Sequence, residues 1–398
     1  ETILGTRRTQ LYFLIRAFFI LIGLEGIVKL VLGVSANDPI AHFYPLVAYV
    51  GICGSIILID NKATIKNKGA YIRKGIYEML MIVGILVLSH HIAVLIKPVI
   101  ALPQIFFAMI ISATLGVIFS SWVMGPTGRS LLFAGIPVVL AANFMIGGSR
   151  IAEAFKLEGM APVMAYGFFG QLFWMFGGLA LLIFLGNANH VRNLAPGMAG
   201  SLSHSGLTGA CTAGDLGSEA AARAPIMINV PFFGHIFVFT ILAISVQRGQ
   251  LLVLPSLIVA IIGIALTAWS LKTLKNSNGK ESEEVKGLMQ FSFGWQITAV
   301  FGGFVMLHLS GMDISNAGMA KSSAISHFGL FAALQGGMFG AQSASLIPFI
   351  FAMPFLVHPL VFGMFGAAME KDGEMPKNIV LGLAIAGVIG VLYSLMFA

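Results

Sequence analysis

Apolar residues in this chain come in long runs, separated by short polar breaks, from one end to the other. A run of about 20 residues crosses the ~30 Å hydrocarbon layer as a helix. Only helices and closed barrels satisfy their own backbone polar groups in lipid, and the short alternating segments of a membrane barrel are absent. The pattern predicts an all-α, polytopic bundle of twelve spans: 10–33, 40–60, 74–96, 99–123, 128–149, 160–186, 226–247, 250–273, 290–311, 326–344, 346–369 and 377–397. They divide into a first half, 1–186, and a second half, 226–398. Between them lies the Gly-, Ala- and Ser-rich segment 187–225, which reads either as a cytoplasmic linker or as a re-entrant segment buried in protein. No sequence repeat is visible between these halves.

Composition agrees with that pattern. The chain is 58% hydrophobic, only 10% charged, and has a mean hydropathy of +0.93, which excludes an ordinary water-soluble fold. The net charge of +7 is explained by basic loops at one membrane face, and no nucleic-acid partner is implied. With the N-terminus inside, 14 Lys and Arg residues fall on the inner side and 7 on the outer. The bias concentrates in 61–75 and 272–288, and it predicts both termini in the cytoplasm of a prokaryotic inner membrane. The two cysteines, Cys53 and Cys211, form no CxxC or CxxCH motif, so neither a disulfide framework nor covalently attached haem is expected. The start does not resemble a cleaved signal peptide. Walker, HExxH, GxSxG, Rossmann and TVGYG patterns are also missing.

The candidate chemistry is carried by histidine. Seven of the nine histidines lie in or at the ends of the apolar segments, where an ionisable side chain points to a functional site. Threaded by the basic-residue bias, His42, His90, His91, His308 and His327 fall toward the outer face, while His235 and His358 lie nearer mid-membrane. Clustered imidazoles suit haem, copper or a proton path. His90 and His91 are the foremost metal candidates, with His42, His308 or His327 opposite and His235 and His358 for a deeper site. Glu25 and Lys29, four residues apart on one helix face, form an expected buried ion pair or proton relay. Asn143, Gln171, Asn229, Gln296 and Gln335 read as interhelical hydrogen-bonding residues.

Three segments resemble the NnrS-type membrane proteins, a family of similar length and span number. They are "RAFFIL" (Arg16 to Leu21), His42 at the start of the second span, and "GPTGRSL" (Gly125 to Leu131). Pro126 stands where the family motif has histidine, and only His42 matches its second-span motif. The resemblance implies haem and copper binding, and supports His42 alone as a ligand.

Two functions follow as expectations. The first is a haem b protein, with or without copper, in electron transfer or the handling of a small inorganic or diatomic molecule. It would work with other membrane or periplasmic subunits or as a homo-oligomer. The second is a proton-coupled secondary transporter or channel, in which Glu25, Lys29 and the histidines carry protons. A third reading, a purely structural anchor subunit, leaves the buried histidines without a role.

Overall fold

A computed structural model describes residues 68–100, 102, 104–118, 156–157, 159–335 and 337–396. Glu25, Lys29, His42, Asn143 and the segments carrying the family resemblance lie outside these residues. The chain forms two compact units, 1–92 with 107–141 and 93–106 with 142–398. Most of α1 (Lys68–Ile96) and α2 (Gln104–Ile118) falls in the first.

The second unit holds eleven further helices among the described residues. They are α3 (Met160–Leu185), α4 (Val191–Leu202), α5 (Ser205–Ala213), α6 (Ser218–Asn229), α7 (Phe232–Gln247), α8 (Val253–Lys275), α9 (Glu281–Leu309), α10 (Ile314–Ile325), α11 (Phe328–Gln335), α12 (Ala341–Met369) and α13 (Lys377–Met396). Four of these, α3, α8, α9 and α13, are long and apolar enough to cross a membrane. The described residues contain no β-strand.

Chain connections at one end of this unit correct the expected threading. Residues 189–191 pair with 373–375, through Val191 N–H to Gly373 O at 2.8 Å and Met375 N–H to Asn189 O at 3.1 Å. Arg192 reaches Glu219 at 3.3 Å and Glu284 at 3.9 Å. Arg223 meets Asn193, Glu281 and Glu284. The starts of α4, α6, α9 and α13 therefore share one end with the close of α12. Twelve simple spans put residues 187–225 and 370–376 on opposite faces, so that threading fails here.

The segment 187–225 is the first reason. It is no loop: α4 is buried along almost its whole length, and α6 begins back beside Arg192. Helices α4 and α5 thus form a hairpin that enters and leaves at the same end. The expected span 326–344 is the second reason. Ser315 Oγ donates to Phe339 O at 3.0 Å, and the Phe304 and Phe339 rings stack at 6.4 Å. Helices α10 and α11 therefore make a second hairpin, entered from the far end of α9.

The two hairpins belong to an internal repeat of inverted direction. One copy is α3, the α4–α5 hairpin, α6–α7 and α8; the other is α9, the α10–α11 hairpin, α12 and α13. α3 runs toward the end defined by Arg192, whereas α9 starts from it. The copies are in register about 123 residues apart. "SHSGL" (203–207) corresponds to "SHFGL" (326–330), and Pro231-Phe232…His235…Val238-Phe239 corresponds to Pro354-Phe355…His358…Val361-Phe362. Matched glycines make matched close contacts. A Cβ on Gly263 would meet Thr298 Oγ1 at 2.5 Å, and one on Gly387 would meet the Phe173 nitrogen at 2.4 Å. Each copy's last helix therefore packs against the other copy's first helix, the reciprocal contact a two-fold axis produces.

Candidate functional site

Each hairpin breaks at a Ser-His pair. Ser203 ends α4 at φ 47°, ψ 40°, and Ser326 ends α10 at φ 49°, ψ 39°. This left-handed conformation is unusual for a residue with a Cβ and closes the helix C-terminus. The following histidine then caps the next helix. His204 Nδ1 accepts from Leu207 N–H at 3.2 Å, and His327 Nδ1 accepts from Leu330 N–H at 3.1 Å. The two breaks lie against each other, joined by an antiparallel bridge between His204 and His327.

Two side-chain quartets form around this junction. In the first, the His204 and His358 Nε2 atoms are 3.1 Å apart. The Gln171 amide stands 3.1 Å from His204 Nε2 and 3.3 Å from Ser326 Oγ, and Ser326 Oγ is 3.4 Å from His358 Nε2. In the second, His235 Nε2 and His327 Nε2 are 3.1 Å apart. The Gln296 amide stands 2.9 Å from Ser203 Oγ, 3.3 Å from His327 Nε2 and 3.4 Å from His235 Nε2. Every histidine pair takes one ring from each copy, and so does every Gln–Ser contact. All four imidazoles are buried. Phe239 and Phe362 cover the hairpin glycines Gly329 and Gly206 in the same reciprocal way.

The backbone fixes the proton positions. A backbone N–H only donates, so His204 Nδ1 and His327 Nδ1 carry no hydrogen, and the neutral rings carry theirs on Nε2. Each Nε2–H then donates to the partner histidine, whose Nε2 accepts. The Gln171 and Gln296 amide nitrogens donate across the copies, to Ser326 Oγ and to Ser203 Oγ. Both glutamines lie one residue before or close to a π-helical turn, at Leu172–Phe176 in α3 and Thr298–Gly302 in α9. Such turns frequently occur at functional sites.

These quartets regroup the histidines expected from sequence. His327 meets His235, not the outer set. His358 meets His204, which the sequence reading left inside the presumed linker. His308 closes α9 and is half-buried. His90 and His91 lie in the unbroken helix α1, ring centroids 5.7 Å apart, with His91 exposed. Gln171 and Gln296 belong to the quartets, while Asn229 ends α6 at an exposed position and Gln335 ends α11.

The quartets do not fit a haem or copper ligand through Nε2. A metal needs a ring nitrogen without hydrogen, and in His204 and His327 capping already uses the other nitrogen. Among the described residues, no group of three or more His, Cys, Asp or Glu side chains is placed to hold a metal ion. What the arrangement can do is hold one proton between the two Nε2 atoms of each histidine pair, to be given up or replaced when the pair separates.

Comparison with family models, curated proteins and solved structures finds no match to this chain.

Proposed function

We propose that this chain is a proton-coupled secondary transporter for a small solute, with its site where the two hairpins meet. The observation that carries this reading is the pair of reciprocal His–His contacts, each shared between inverted repeats and seated at a helix break. Inverted repeats with broken helices meeting near the bilayer midplane are a recurrent transporter plan, and rocking one repeat against the other exposes the site to alternate faces. Imidazoles supply groups that can take up and release protons. Glu25 and Lys29, in the first predicted span, extend the proton-carrying set.

Placement in a prokaryotic inner membrane follows from the same reading. The end bearing Arg192, Arg223, Lys272, Lys275, Lys280, Lys286, Lys371 and Lys377 is the basic one and faces the cytoplasm. Six crossings and two hairpins then account for 160–396, in place of the last seven of twelve spans, and the close of α13 faces outward.

The test is reconstitution of the full chain in proteoliposomes that enclose a pH-sensitive dye, screened with gradients of small solutes. A solute-dependent pH change that is lost in His204→Gln and His327→Gln supports the reading. A purified protein with a Soret band and sharp α-bands on reduction, and with no solute-dependent pH change, restores the haem protein in its place.

A further inference from the structure

The outward face of α8 changes character along its length. Leu254, Ile258, Ile262, Ala265 and Trp269 follow one another at steps of three and four residues, which share one side of a helix, and all are exposed. A contiguous apolar stripe of this kind marks contact with a membrane or another protein, and α8 is long and apolar enough to cross a membrane. The stripe is therefore its lipid-facing side. The next turn of the same face carries Lys272, Thr273 and Asn276 instead. Between this turn and the start of α9 lies a cavity of about 270 Å³, lined by Trp269, Lys272, Thr273, Asn276, Glu283 and Lys286.

The cavity carries more positive than negative charge. Lys286 reaches Glu283 at 3.6 Å, whereas Lys272 has no carboxylate within ion-pair distance among the described residues. The other acids at the start of α9 are engaged elsewhere, Glu281 with Arg223 and Glu284 with both Arg192 and Arg223. Lys275 and Lys280, exposed beside the cavity in the chain, add to the positive field. Lysines in the last turn of a helix offset its dipole, which accounts for Lys272 and Lys275. It does not account for Lys286, in the second turn of α9, nor for a cavity between the two helices. Tryptophan settles at the level of lipid headgroups, its ring toward the acyl chains and its N–H toward water. An apolar stripe, a tryptophan and a basic cavity in that order match the successive parts of one amphiphile.

We propose that this cavity binds the phosphodiester headgroup of an anionic phospholipid, whose acyl chains lie along the Leu254–Trp269 face of α8. Lys272 and Lys286 hold the phosphate, the Asn276 amide donates to it, and Trp269 stands at the glycerol level. Basic cavities between transmembrane helices are a recurrent way of holding such headgroups. Because α8 closes one copy of the repeat and α9 opens the other, the lipid joins both copies at their link. The site needs α8 in a membrane and does not depend on the transporter reading.

Thermal unfolding of the purified full chain in a neutral detergent tests the site. Phosphatidylglycerol, phosphatidylcholine with the same acyl chains, and sodium phosphate are titrated separately at constant ionic strength. Phosphatidylglycerol should raise the Tm saturably, as a ligand of the folded state does, while the other two should leave it unchanged. Lys272→Gln combined with Lys286→Gln should weaken the midpoint by roughly tenfold, the share of charged hydrogen-bond donors, and the matching pair of arginine substitutions should keep it. Lys371→Gln combined with Lys377→Gln, exposed at the same end but outside the cavity, should also keep it. No saturable shift with phosphatidylglycerol overturns the proposal. Equal weakening by the two double glutamine variants overturns it too, as a general attraction to the basic face. An equal shift with phosphatidylcholine removes headgroup recognition, and an equal shift with phosphate gives the cavity to a free anion. A dimer that Ile262→Glu separates, with no effect of added lipid, gives the stripe to a second copy of the chain and overturns the lipid.

Discussion

The two copies of the repeat differ most sharply at one matched position. In the first, Met198 of α4 packs against Gly178; in the second, Lys321 of α10 packs against Gly303. The surroundings correspond, and the side chains fill the same kind of gap. Lys321 is fully buried, its Nζ has no hydrogen-bond partner, and it lies 3.9 Å from the centre of the Trp174 ring. A cation–π contact contributes about 2 kcal/mol when desolvated, less than the several kcal/mol that burying an unpaired ammonium costs. The repeat therefore tolerates methionine freely and lysine at a loss. A second difference runs the other way. At Gly200 a Cβ would meet the Met227 carbonyl oxygen at 2.2 Å, whereas the matched Ser323 donates its Oγ to Ile350 O at 2.9 Å. The shared contacts mark what the common architecture requires, and the differences mark where each copy has been adjusted.

Substitutions at the matched positions and at the contacts around them sharpen this comparison, the largest effect first. Gly200→Val should prevent accumulation of folded protein, because its side chain meets backbone that cannot turn aside; normal yield and Tm would show that the two hairpins are not as closely packed as described. Met198→Lys should cost roughly 3–5 kcal/mol by burying a charge without a partner, measured by chemical unfolding. Its mirror, Lys321→Met, should be neutral or stabilising, and equal costs in the two directions would refute the argument about the gap. Arg223→Met should cost roughly 3 kcal/mol, since it leaves Asn193 and the largely buried Glu284 without their partner at the basic end. His204→Ala and His327→Ala should each cost about 2 kcal/mol and by similar amounts, as each removes a cap and orphans one partner histidine. Ser323→Gly should cost the least, about 1 kcal/mol for one hydrogen bond and added chain freedom.

The sequence makes α3, α8, α9 and α13 legible because each is one continuous apolar run. The hairpins are hidden for a physical reason. Residues 191–213 are rich in Gly, Ala and Ser because they pack tightly inside protein, and that composition also describes a flexible linker. In the second copy the 314–325 helix carries Ser and Lys, whereas 328–335 is apolar, so the hydrophobic pattern merges the latter into a false span at 326–344. His235, His327, His358, Gln171 and Gln296 were all visible as polar residues in apolar surroundings. Their pairing was not, because each contact joins positions up to 154 residues apart. His204 was missed with the segment that holds it. A signal for it exists: "SHSGL" and "SHFGL", followed at one spacing by Pro-Phe-x-x-His-x-x-Val-Phe, repeat within 160–398 and not between 1–186 and 226–398.

The central claim, two hairpins entering from opposite faces, is tested by the side on which each hairpin's ends lie. Single cysteines at Asn187, Glu219, Asp313 and Gln342, all exposed, are introduced after replacing Cys53 and Cys211. They are then labelled with a membrane-impermeant maleimide in sealed vesicles of known orientation. Asn187 and Glu219 should label from one side, and Asp313 and Gln342 together from the other. Labelling of Asp313 and Gln342 from opposite sides would make 326–344 a true span and contradict the account.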